Sequence, residues 1–164
     1  MTHAQHADAT AIDPGVAIGH VNLKVSDLDR ALWFWCDVLG FRLKQSMPGC
    51  AFVAAGSYHH HIALNTWESH GGAPAPAGST GLYHVAILYP ERSALADALK
   101  RIRAAGIALD GAYDHGVSLS LYVRDPDHNG VELYWDRPAA EWPRQAGGGI
   151  AMGRQPIDPG LLAG

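Results

Sequence analysis

Apolar and polar positions follow two alternating rhythms along this chain, and the order of the rhythms occurs twice. Val21, Leu23 and Val25 are apolar at every second position, with His20, Asn22 and Lys24 between them, which predicts a short strand with one core face and one polar face. Leu28, Ala31, Leu32, Trp35 and Leu39 then recur at helical spacing. Ser26-Asp27-Leu28-Asp29 in front of them reads as a capping box with Asp in place of Glu, and Gly40 is the helix stop. Strand spacing returns at residues 41–44, 50–54 and 60–64. The second round begins with Val85, Ile87 and Tyr89 opposite His84, Ala86 and Leu88. Pro90-Glu91 suits a first helical turn, Leu95, Ala98, Leu99, Ile102 and Ala105 form an apolar stripe, and Gly106 ends it. Strands are expected at 107–109, 118–124 and 131–135, the last two joined by the turn-rich Asp125-Pro126-Asp127-His128-Asn129-Gly130.

A β-α-β-β-β unit of this size cannot easily close a core alone. The expectation is therefore an α+β fold of two paired βαβββ modules, packed face to face around a metal-binding cleft. Residues 16–136 form the domain, with module one at 16–67, a Gly/Pro/Ala-rich linker at 68–80 and module two at 81–136. Residues 1–15 read as a flexible N-terminal tail. Residues 137–164 read as an extended C-terminal tail with Trp142, Ile150, Met152, Ile157, Leu161 and Leu162 as anchors.

Bulk properties narrow the field. The 164 residues are 48% hydrophobic and 17% charged, and the net charge of −4 is scattered, which argues against a nucleic-acid or anionic-membrane partner. No apolar run has the length of a membrane span, and the polar start lacks a secretory pattern, so a cytoplasmic protein is expected. Cys36 and Cys50 fit buried thiols of a reducing compartment. Histidine is the compositional oddity: there are ten, and His20, His59, His60, His61 and His84 fall on or beside predicted strands.

His20 and His84 occupy matching positions in the two units, and Glu132 lies on the polar side of the last strand among strong strand formers. A buried carboxylate there needs a cation. Two imidazoles and one carboxylate are the facial set that binds Fe(II) with positions left open. The competing reading is two hydrogen-bonded strand histidines and a glutamate paired with arginine. His59-His60-His61 cannot all face one site, because neighbours alternate; by alternation His60 shares a face with Ile62 and Leu64. His115 fits a turn, and Tyr122 lies on the less apolar face of its strand.

These residues resemble the vicinal oxygen chelate superfamily, which includes glyoxalase I, fosfomycin-resistance proteins, bleomycin-binding proteins and extradiol dioxygenases. Gly19-His20-Val21, Trp33-Phe34-Trp35 before Leu39-Gly40-Phe41, Leu82-Tyr83-His84-Val85-Ala86 and Asp125-Pro126-Asp127 through Glu132-Leu133-Tyr134 carry the likeness. Within it the chain is most similar to small two-module proteins called catechol-2,3-dioxygenases, through Tyr58–Trp67, Asp114–Ser118, Leu133–Pro138 and the tail around Trp142-Pro143 and Pro156-Ile157-Asp158. The resemblance implies His20, His84 and Glu132 as metal ligands, His60 (or His61) as the acid–base histidine, and His115 and Tyr122 as further catalytic groups. It also implies an Fe(II)-dependent ring-cleaving dioxygenase of aromatic catabolism, acting on a catechol-like diol with O2. Mn(II) fits the same ligands, and a homodimer is common to the fold. A fosfomycin-resistance-type transferase or lyase, or a metal-free binding protein, is the alternative. Glyoxalase I is disfavoured, because the last strand of module one offers no carboxylate. His128 stands where the resembling turn has glycine.

Overall fold

The computed structural model describes residues 11–163, so the first ten residues of the expected N-terminal tail lie outside it. The expected element order is present twice. In the first unit β1 (Val21–Lys24) leads to α1 (Leu28–Leu32), which continues as a π-helical stretch over Trp33–Val38. Then come β2 (Arg42–Met47), β3 (Cys50–Ala54) and β4 (Ile62–Asn65). In the second, β5 (Val85–Leu88) is followed by α2 (Arg92–Ala104), β6 (Gly111–Asp114), β7 (Ser118–Arg124) and β8 (Gly130–Asp136). A two-residue strand, β9 (Gln155–Pro156), comes from the C-terminal segment.

Each unit forms its own sheet with the first strand at an edge, paired in parallel to the last. The orders are β1-β4-β3-β2 and β5-β8-β7-β6-β9. Alternation in β1 buries Leu23 and leaves Asn22 and Lys24 exposed, as its pattern requires. Phe34 and Trp35 are adjacent in the π-helical stretch and both fully buried, their rings edge-on at 5.5 Å. Gly40 and Gly106 end the two helices at φ 88° and 70°, where a side chain would be strained.

One apolar core runs through both units, from Phe34, Trp35 and Leu64 to Leu99, Leu121 and Leu133. Beyond this shared core, the two units are joined through α2 and one loop. The Arg101 guanidinium donates to the carbonyls of Val38 and Leu39 at 3.1 and 3.2 Å. Asp127 of the 125–130 turn accepts from Ser26 Oγ at 2.6 Å and from Arg30 at 2.7 Å.

Four local expectations are corrected. The N-cap of α1 is Asp27, whose carboxylate accepts from the Arg30 N–H at 2.8 Å, because Ser26 is engaged with Asp127. Pro90 precedes the N-cap Glu91 of α2 and does not form its first turn. Residues 107–109 form no strand: the Ile107 N–H returns to the helix at Ile102 O, and the ladder with β7 starts only at Gly111. Of the proposed tail anchors, Leu162 is 2% exposed in the core and Ile157 packs against it, while Met152 and Leu161 face solvent. No helix among the described residues is long and apolar enough to cross a membrane.

Candidate active site

The second sheet gathers one line of polar side chains. Glu132 on β8 pairs in register with Ala86 of β5 on one side and Tyr122 of β7 on the other. Paired residues share a face, so the Tyr122 hydroxyl meets the carboxylate and donates to Oε1 at 2.8 Å. His84, immediately before β5, places Nε2 at 2.9 Å from Glu132 Oε2. His115, in the turn before β7, has Nε2 at 2.9 Å from the Tyr122 hydroxyl and Nδ1 at 2.7 Å from the carbonyl oxygen of Gly153.

Close packing holds His84 in this line. A Cβ on Gly130 would run into the Tyr83 carbonyl and lie 3.1 Å from His84 Cβ, so only glycine lets β8 approach the residue that opens β5. Burial, followed by the hydrogen bond and charge of Glu132, pushes the Tyr122 phenol well above its ordinary pKa. Tyr122 therefore stays a neutral donor. Since a carbonyl only accepts, His115 Nδ1 carries a proton toward Gly153.

The first sheet has its own cluster. The His20 and His60 rings lie 4.5 Å apart, and His60 meets Phe52 edge-on at 4.9 Å. His60 Nδ1 is 2.7 Å from His59 Nδ1. Burial, then the neighbouring imidazoles of His20, His59 and His61, lower the pKa of His60 and favour its neutral form. His60 and His61 both precede β4, in a bend where strand alternation does not apply. His60 thus sits beside His20 rather than on the face of Ile62 and Leu64. His61 accepts from the Ala55 N–H at 3.3 Å and lines a cavity of about 640 Å³ with His20, His84 and Tyr134.

Two of the three proposed ligands face each other. Neighbouring donors of an octahedral ion with bonds of about 2.1 Å stand about 3 Å apart, which is the His84–Glu132 separation. His84 Nδ1, the ring nitrogen that faces away from Glu132, is buried without a partner among the described residues. The third donor is not in place. His20 shares the cavity with His84 but lies against His60, and among the described residues no three His, Cys, Asp or Glu side chains form a metal-holding group.

A family model for the Glyoxalase/Bleomycin resistance protein/Dioxygenase superfamily matches residues 17–133, which include His20, His60, His61, His84, His115, Tyr122 and Glu132. The chain belongs to this superfamily. It is 40% identical over 156 residues to catechol-2,3-dioxygenase of Bacillus subtilis, covering 93% of this chain and 53% of that one. It is 35% identical over 120 residues to biphenyl-2,3-diol 1,2-dioxygenase 3 of Rhodococcus globerulus, covering 73% and 63%. The chain thus spans from about half to under two thirds of the length of these two relatives. The crystal structure of lactoylglutathione lyase from Agrobacterium tumefaciens superposes with a TM-score of 0.59 at 26% identity, covering 75% of this chain and 96% of that one. The superfamily likeness thus takes in both dioxygenases and lyases.

Two contributors to the site were not found by sequence reasoning. Gly153, whose carbonyl meets His115, and Arg154 beside it belong to the segment read as a tail. No periodicity marks them, because they come to the sheet through a two-residue strand on its edge.

Proposed function

We propose that this chain is an Fe(II)-dependent extradiol dioxygenase that opens the ring of a catechol-like diol beside its hydroxyls, with both atoms of O2 entering the product. The observation that carries this reading is the polar line His84–Glu132–Tyr122–His115 on one sheet face, its successive members 2.8–2.9 Å apart. Its occurrence in a chain 40% identical to a catechol-2,3-dioxygenase favours oxygenase chemistry.

His84 and Glu132 are the ligands already facing each other, and His20 would complete the set by turning from His60. Bound there, Fe(II) supplies electron transfer between the diol and O2; Mn(II) suits the same donors. His60, held neutral by its surroundings, accepts a diol proton and returns it later in the cycle, with His61 as the second candidate for this work. The Tyr122 phenol and the His115 imidazole hydrogen-bond the diol oxygens as negative charge gathers on them. A homodimer in the cytoplasm is the proposed working form.

Anaerobic reconstitution with Fe(II), followed by a panel of catechols monitored for O2 uptake and yellow ring-fission product, tests the reading. Iron binding without turnover of any diol would overturn it. His60→Phe and His61→Phe separate the acid–base candidates: the true one keeps metal and slows turnover, the other does not. Glu132→Gln should lose metal retention by elemental analysis.

Likeness to the Agrobacterium lactoylglutathione lyase favours a lyase or transferase as the second reading. Glyoxalase I chemistry needs a carboxylate on the last strand of the first unit. Here β4 ends in Asn65, whose amide donates to Asn22 at 2.7 Å. Metal-dependent turnover of an epoxide with a thiol, or absence of Fe, Mn and Zn altogether, would select the transferase or the metal-free binder.

A further inference from the structure

The cavity over the second sheet has a wall that the roles assigned above leave unused. Tyr113, His115, Tyr122 and His84 line it together with Arg154. Arg154 comes from the C-terminal segment, and its backbone is fixed on both sides. The Gly153 N–H donates to His115 O at 3.0 Å, Gly153 O meets His115 Nδ1 at 2.7 Å, and Gln155-Pro156 pair with Asp114 and Tyr113. The guanidinium carbon stands 3.8 Å from the centroid of the Tyr113 ring. Stacking occupies the flat face of the guanidinium and leaves its in-plane N–H donors free for a planar anion.

The nearby carboxylates are engaged elsewhere. Asp110, in the same cavity, pairs with Arg124 at 2.8 Å, and Asp114 pairs with Arg137 at 2.6 Å. Glu132 is held by His84 and Tyr122. Among the described residues no carboxylate lies within ion-pair distance of Arg154. A positioned, uncompensated cation in the cavity of a chain of net charge −4 is not part of a general basic surface.

We infer that Arg154 is a specificity-determining residue that binds a carboxylate carried by the substrate, so that the preferred substrate is an aromatic diol with an acidic substituent. This inference rests on the dioxygenase reading for the identity of the diol, and on geometry alone for the anion. Tyr113 forms the platform, and the Gly153–His115 pair ties the anion subsite to the polar line.

The test compares 3,4-dihydroxyphenylacetate with 4-ethylcatechol on the Fe(II)-loaded full chain. These differ chiefly in carboxylate against methyl. Wild type should favour the acid in kcat/KM, and Arg154→Gln should reduce that preference by about tenfold or more, the usual scale of a lost charge-assisted hydrogen bond. Arg154→Lys, which keeps the charge without the fork, should restore part of it. Because the readout is a ratio, general damage to the enzyme cancels. An unchanged ratio, or no preference for the acid in wild type, overturns the inference. If neither diol is cleaved, the dioxygenase reading fails separately, and calorimetric binding of 4-hydroxyphenylacetate decides the anion site. Affinity that falls about tenfold in Arg154→Gln sustains it; equal affinity, or no binding to wild type, overturns it.

Discussion

Removing one hydroxyl tests whether the polar line on the second sheet is a connected unit. Tyr122→Phe deletes the oxygen that donates to Glu132 at 2.8 Å and meets His115 Nε2 at 2.9 Å. Glu132 retains His84 alone, with its side chain 12% exposed, so little water replaces the lost donor. A hydrogen bond to a charged acceptor contributes about 1.5–3 kcal/mol, and the benzyl ring is kept, so a loss of about 2 kcal/mol is expected in metal-free protein. At this chain length that corresponds to a fall in Tm of roughly 4–8 °C. Urea unfolding of the chelator-treated full chain gives the value directly. A cycle with His115→Ala should show coupling above about 0.5 kcal/mol, because both substitutions break the same contact. Loss below about 0.5 kcal/mol with additive single effects would refute the connected line, and with it the argument that Tyr122 is held by Glu132.

Three further outcomes follow from the same geometry. Gly130→Ala should separate His84 from Glu132, since the added methyl meets the Tyr83 carbonyl; metal retention, measured by elemental analysis, should fall although no ligand is changed, and unchanged retention would count against this packing argument. Leu162→Ala should cost about 2–4 kcal/mol in urea unfolding, because Leu162 is 2% exposed in the core, and a cost under about 1 kcal/mol would show that the C-terminal turn is not docked in solution. The Tyr122 pKa is raised, so above the ordinary tyrosine range of about 10 the unfolded chain releases a proton that the folded chain keeps. Wild type should therefore lose stability relative to Tyr122→Phe as pH rises through about 10, and a constant difference between them from pH 8 to 10.5 would refute the shift.

Much of the arrangement is legible in the local pattern of the chain. Period-two and helical spacing located β1, both helices, β3, β7 and β8, and the matching places of His20 and His84 suggested paired units. The fold departs from local preference where a distant contact outweighs it. Ser26 is a good cap by itself, yet its hydroxyl is drawn to Asp127 a hundred and one positions away, and Asp27 caps instead. Residues 107–109 have strand propensity, but the Ile107 N–H is taken by the end of α2 before a ladder can form. Alternation would put His60 on the face of Ile62 and Leu64, but it holds only inside a strand, and the bend before β4 turns His60 to His20.

Local pattern along the chain establishes the two βαβββ units, the strand faces, and a short set of residues fit for chemistry, because backbone periodicity and side-chain type are local properties. Tertiary structure alone decided which of those residues meet. Glu132, Tyr122, His84 and His115 form one line because β7 and β8 pair in register and Gly130 lets β5 approach. His20 remains with His60 on the other sheet. Arg154 and Gly153 join the site because two residues of the C-terminal segment add to the edge of the sheet at β6. Such meetings depend on register, close approach and long-range docking, none of which leaves a period in the chain.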